Sequence, residues 1–266
     1  MFTVLSNIFA IYRRELQGYF ASPLAYAVAG VFWLLTGYFF VALLLGPEGL
    51  IQQVAYRDQL GITDPPIDLP YQFLQVYLRL LGSMALFILP MLSMGLYTEE
   101  RKQKTLELLA TSPITNWVVA VGKLLGVATF FLTIILPLML LEAIALNTAT
   151  PNLSPGIFLT AHIGLILLAT AVLSLGMFIS SLTESTILSA ILTFALVLFL
   201  WVVDLIGSTV GGGFGDSLTH ISLISNYTNF VQGIIDTSSL VLLVSYIILG
   251  IFLTAQSIDA LRFQRS

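Results

Sequence analysis

Four ionisable residues fall at or near one end of long apolar runs of this chain: Arg79, Glu142, His162 and Asp204. An unpaired ionisable group in hydrocarbon costs on the order of a few kcal/mol, so such residues pair, snorkel to the headgroups or line a path through the protein. Two readings stand side by side: all four reach the headgroup region, or Arg79 pairs with Glu142 or Asp204 as a plug closing one mouth of a path. Other chemistries are poorly supplied. With no cysteine there is no disulfide, thiolate nucleophile or Cys-ligated metal, and His162 and His220 are too far apart for a local metal pair, so no metal site is expected. A Ser–His hydrolase within the membrane would have to join His162 to Ser174 or Ser189, yet the sequence has no Gly-x-Ser-x-Gly. Gly122-Lys123 is followed by Leu124 and lacks the earlier glycine of a phosphate loop. The chain is therefore not expected to be an enzyme or to hold a cofactor of its own.

The elements that carry these residues follow from composition. Among 266 residues 58% are hydrophobic and 9% charged, against roughly 45–50% and 25% in soluble domains, so the surface must lie largely in lipid. The net charge of −4 removes the driving force for nucleic-acid binding. Apolar runs long enough to cross about 30 Å of hydrocarbon occupy residues 24–45, 77–97, 117–141, 157–181, 186–207 and 240–258. The fold class predicted is all-α, a single six-span membrane domain over residues 1–266. Ser22-Pro23, Gly46-Pro47, Ser112-Pro113, Pro151 and Pro155 punctuate the runs. Stretches such as Ile187 to Val203 lack the alternation of a barrel strand. Pro90 and Pro137 permit kinks within the second and third spans.

Placing the N-terminus in the cytoplasm puts eight of the ten basic residues on that side and leaves Arg57 and Arg79 outward. Both termini are then cytoplasmic, and loops 46–76 and 208–239 are outside. Loop 46–76 is expected to be partly irregular, and loop 208–239 to hold short helices. Residues 3–20 repeat apolar side chains at helical spacing, which predicts an interfacial helix or an N-terminal extension of the first span. Between spans two and three, Thr98 as N-cap, Glu99 and Glu100 in the first turn, an i,i+4 pair of Glu100 with Lys104 and a stop at Pro113 predict a self-contained helix over residues 99–112. Leu106, Leu108, Leu109 and Ala110 give it an apolar side, and Asn116 is expected to cap the third span. Gly122 with Gly126, and Gly176 with Ser180, are small-xxx-small pairs that predict close helix packing.

Three blocks carry a family resemblance: Glu99-Glu100-Arg101 through Thr105-Leu106-Glu107-Leu108-Leu109 with Ser112-Pro113-Ile114 and Gly122 to Gly126; Leu175 to Thr183; and Phe230, Gly233, Ile235-Asp236-Thr237. In these the chain resembles the permease subunit of a type-2 ABC exporter, in the gliding-motility-associated branch. The resemblance implies that residues 99–112 are a coupling helix, with Glu99, Glu100, Arg101, Lys104, Thr105, Leu106, Glu107, Leu108, Leu109, Ser112 and Pro113 contacting a nucleotide-binding ATPase subunit that holds ATP and Mg. It implies that residues 3–20 form an elbow helix. It also implies a second permease copy or paralogue, a prokaryotic cytoplasmic (inner) membrane location and cell-envelope cargo, with room for an accessory envelope protein. One departure is Lys104, where the family commonly has glycine. An ion-coupled secondary transporter is the alternative class; it would place acids near the midplane and echo one half in the other, and this sequence does neither.

Overall fold

The computed structural model describes residues 2–62, 68–105, 114–149 and 152–263, and among them every regular element is helical. In chain order these are α1 (Phe2–Ala21), α2 (Pro23–Leu45), α3 (Leu50–Gln59), α4 (Leu69–Ser93), α5 (Gly95–Lys102), α6 (Asn116–Asn147), α7 (Pro155–Leu182), α8 (Thr186–Val210), α9 (Gly212–Ile221), α10 (Leu223–Val231) and α11 (Thr237–Phe263). Six are long and apolar enough to cross a membrane: α2, α4 continued by α5, α6, α7, α8 and α11. Short polar caps start several of them. The side chains of Ser22, Asp68, Ser185 and Ser222 accept from the backbone N–H of Ala25, Tyr71, Leu188 and Ser225 respectively, the usual relief of a helix's unpaired first turn.

α7 is the centre of the bundle. Its apolar stretch is 72% buried, against 22% for α8 and α11 and 28% for α2, because α4, α5, α6, α8, α10 and α11 all pack on it. Aromatic side chains lock the layer between α2 and α4: Phe40 meets Phe73 and Tyr77 edge-on, and the Tyr77 hydroxyl donates to the Thr36 carbonyl at 3.3 Å. α10 sits against α4 and α7 because Gly82 and Gly164 leave room for the rings of Tyr227 and Phe230. The Tyr227 hydroxyl then donates to the Leu78 carbonyl at 2.6 Å.

Several boundaries differ from the sequence reading. The second span starts at Leu69 rather than residue 77, since Asp68 caps it and Pro70 falls in the first turn, where a missing N–H is harmless. Loop 46–76 contains α3. Loop 208–239 does form short helices, α9 and α10, entered through Gly211 and Gly212 at φ +62° and +69°. Thr98 is no N-cap: it lies inside α5, and its hydroxyl donates to the Met94 carbonyl one turn back at 2.7 Å. The cap of α6 is Thr115, with Asn116 its first residue.

A continuous helix over 99–112 is also not found. α5 stops at Lys102, and Lys104 takes a left-handed conformation at φ +59°. Thr105 N–H reaches the Glu100 carbonyl at 2.9 Å and Lys104 N–H the Arg101 carbonyl at 3.0 Å, the paired bonds of a Schellman ending. Lys104 thus occupies the position where glycine is the favoured residue. Leu106 to Pro113 lie outside the described residues.

Candidate functional site

Lys123, near the start of α6, is 3% exposed. Its Nζ donates to Glu15 Oε1 at 2.7 Å and to the Leu96 carbonyl at 2.7 Å, stands 3.1 Å from Glu100 Oε1, and lies 4.9 Å from the centre of the Tyr97 ring. An ammonium has three donors, and here three acceptors meet them. Without such partners a buried charge would cost several kcal/mol in lost hydration. The cluster therefore ties together α1, α5 and α6, the last two being the helices that flank residues 103–115.

Local structure explains how Glu15 reaches it. Gly122 and Gly126 form a groove on α6: a Cβ at the first would stand 2.8 Å from Ile11 Cβ, and at the second 2.7 Å from Glu15 Cβ. Four residues further along both helices, Tyr19 stacks on Phe130 at 5.1 Å. Contacts at 11, 15 and 19 against 122, 126 and 130 keep the helices together for eight residues, about 12 Å. Tyr19 also donates to the Leu92 carbonyl at 2.5 Å. Burial, then the carboxylates of Glu15 and Glu99, push its ionisation up, so it stays a phenol donor.

The other side of α5 is anchored to α7. Ser180 Oγ accepts from the N–H of Tyr97 at 2.8 Å and of Thr98 at 3.2 Å, and donates to the Met94 carbonyl at 3.1 Å. Gly176 packs against Ser93 and Thr193. Arg101 donates to the Ser181 carbonyl at 2.6 Å and lies 3.9 Å from Glu184. Asn116 donates to Asp259 on α11 at 2.6 Å. Both ends of the 103–115 segment are thus fixed to the bundle. Glu99 is exposed and, with Glu15, Tyr19, Met91 and Leu96, borders a cleft of about 310 Å³.

Of the sequence-predicted residues, Glu100 and Arg101 belong to this anchored end, and Gly122, Gly126, Gly176 and Ser180 each lie against a neighbouring helix. Glu100 pairs with Lys123 and not with Lys104, because the left-handed turn takes Lys104 off the helix. Glu15 and the burial of Lys123 were missed. A signal existed: Glu15 sits in register with Ile11 and Tyr19 on the apolar stripe of α1, and an acid there calls for a basic partner.

The other polar group reads differently from expectation. Glu142 faces His162, with Oε2 and Nε2 3.5 Å apart, and does not pair with Arg79. Arg79 is exposed, since Leu74, Tyr77, Leu78 and Leu81 turn the opposite face of α4 inward. The side chain of Asp204 lies outside the described residues. The hydrolase pairing is excluded: His162 and Ser174 are twelve residues apart on one helix, about 18 Å, and Ser189 starts α8 at the opposite end of the bundle. Among the described residues no three His, Cys, Asp or Glu converge as metal ligands.

A family model described as "ABC-2 family transporter protein" matches residues 65–257, from just before α4 to near the end of α11. The chain belongs to that family. No curated protein matches it in sequence. An ABC-2 permease is a multi-pass membrane component of a transporter and is not itself an ATPase. In this ABC-2 protein Glu100, Arg101 and Lys123 fall within the matched span, while Glu15 precedes it.

Proposed function

We propose that this ABC-2 permease is the membrane-spanning half of an exporter driven by a separate nucleotide-binding subunit, which supplies ATP and Mg, and that residues 99–112 are where the two chains couple. The observation that carries this reading is the anchoring of both flanks of that segment. A push delivered between Gln103 and Thr115 passes from α5 to α6 and α7 through Glu100 and Arg101, from α6 to α11 through Asn116, and to α1 through the Lys123–Glu15 bond. A solvated loop would have no need of a buried ammonium clamp behind it. On this reading the end of the bundle bearing both termini faces the cytoplasm of a prokaryotic cell, and a second copy or paralogue completes the path. The resemblance of three sequence blocks to gliding-motility-associated permeases supports cell-envelope or surface cargo.

The test is Leu106→Ala/Leu109→Ala, which removes two apolar anchors worth on the order of 1–2 kcal/mol each at an interface hot spot. Copurification with the ATPase is expected to weaken, or hydrolysis to run without transport, while membrane insertion persists. Full ATPase binding with coupled transport in the double variant would overturn the assignment.

A further inference from the structure

The cleft of about 310 Å³ at the end of the bundle bearing the termini has walls of two kinds. Leu24 and Val28 on α2, with Met91 and Met94 around the end of α4, make one side apolar, and Leu24 and Met91 are 47% and 42% exposed. The other side is polar: Glu15 and Tyr19 from α1, Ser22 from the α1–α2 link, Glu99 from α5 and Thr186 from the start of α8. Glu99 Oε1 folds back one turn along α5, 3.7 Å from where a Cβ on Gly95 would stand, and Gly95 also lines the cleft. Both carboxylates act on the Tyr19 phenol, adding to the burial that pushes its ionisation up. They therefore converge on one side of the cleft. Among the described residues no Lys, Arg or His lines it. Lys123 is 3% exposed and faces both Glu15 and Glu100, while Glu99 joins no ion pair among the described residues. Three carboxylates against one ammonium leave this wall net negative.

An apolar wall beside a negative one matches an amphiphile with a cationic head. The spans that border the cleft, α2 and α8, carry exposed apolar faces, with Leu34 and Ile187 both 71% exposed, so such a molecule reaches it without leaving the bilayer. We infer that this cleft binds the head group of a membrane lipid bearing a primary ammonium, of the phosphatidylethanolamine type. The ammonium donates to Glu99 and to the open side of Glu15, which keeps 18% of its side chain exposed. Its third donor meets the Tyr19 phenolic oxygen, whose own hydrogen goes to the Leu92 carbonyl. Ser22 Oγ accepts from the Ala25 N–H, so its hydroxyl hydrogen, with that of Thr186, is placed for the phosphate. The first acyl carbons lie along Leu24, Val28 and Met91. A trimethylated head offers no N–H, and an anionic head is repelled. The inference is independent of the coupling reading, because it holds whether or not a nucleotide-binding subunit docks on residues 99–112.

Native mass spectrometry of the full chain, delipidated in detergent and titrated with single lipids, tests the site. Phosphatidylethanolamine is expected to bind about tenfold more tightly than phosphatidylglycerol or N-acetylated phosphatidylethanolamine with the same acyl chains, the weight of one charge-assisted hydrogen bond. Acetylation keeps the phosphate and chains and removes only the ammonium. Glu99→Gln, at an exposed position, should abolish the preference without weakening phosphatidylglycerol binding. Gly18→Trp should abolish it by filling the cleft, since Gly18 lines the wall and a Cβ there meets open space. Glu48→Gln, exposed on the link between α2 and α3, should leave it intact. Soluble phosphoethanolamine at the lipid's own concentration should not displace the lipid, because the apolar wall is then unused. Equal binding of the three lipids, a preference that survives either cleft substitution, or displacement by the soluble head group would each overturn the site.

Discussion

An ammonium held by three acceptors can be removed in two ways with different consequences. Lys123→Met leaves Glu15 and Glu100 facing each other without a cation, a broken buried pair that should cost about 3 kcal/mol. Lys123→Met/Glu15→Gln/Glu100→Gln removes the stranded charges and should recover most of that stability, but not the rigid bond between α1, α5 and α6. Thermal midpoints are expected to separate the single from the triple variant, while transport per ATP hydrolysed stays low in both. Recovered coupling in the triple variant would reduce the cluster to a stability device. Lys104 offers a milder change. A side chain in the left-handed region costs roughly 1–2 kcal/mol, so Lys104→Gly should raise the midpoint and Lys104→Ile lower it. The family resemblance marked Lys104 as a departure from glycine here. It did not show why glycine mattered, because the φ angle of one residue depends on where the preceding helix ends.

Helices were legible where hydrophobic runs were long, and less so where local chemistry decided the boundary. Pro70 lies in a loop expected to be partly irregular and instead starts a helix, because Asp68 precedes it as a cap. Thr98 looked like a cap and is an interior residue, because α5 follows α4 after a single-residue break at Met94, four residues beyond Pro90. The pairing of elements was harder still. Gly122 and Gly126 announced a close contact, yet small residues do not say which helix fills the groove, and α1 fills it. Gly126→Ala tests that contact directly. The added methyl would meet Glu15 Cβ, pushing α1 outward and drawing its carboxylate from Lys123. A loss of about 1–3 kcal/mol is expected for such overpacking, measured as a lower midpoint, with Gly18→Ala, which meets open space and should gain roughly 0.5–1 kcal/mol from helix propensity, as the control.

Over the whole molecule, polar groups divide between two ends. The end with the termini holds the Lys123 cluster, the Arg101 anchor and the Asn116–Asp259 bond, whereas the opposite end holds the Glu142–His162 pair. Between them the spans are apolar, and much of α2 and α8 is left uncovered by the chain itself, with Leu34, Tyr38, Ile187 and Phe199 all exposed. Those faces are apolar enough to meet lipid. The sequence made this polarity of the molecule visible through its basic residues but did not show the pairs, Lys123 with Glu15 and Glu142 with His162, since pairing across helices depends on rotation about each axis. Because the chain has no cysteine, the central claim can be tested with one residue at a time. Gln103→Cys, in the turn after α5, should crosslink to the nucleotide-binding subunit in native membranes and resist an impermeant reagent added to intact cells, while Ser154→Cys at the opposite end behaves in the reverse way. Labelling of position 103 from outside, or crosslinking of the ATPase to position 154 and not to 103, would contradict the account.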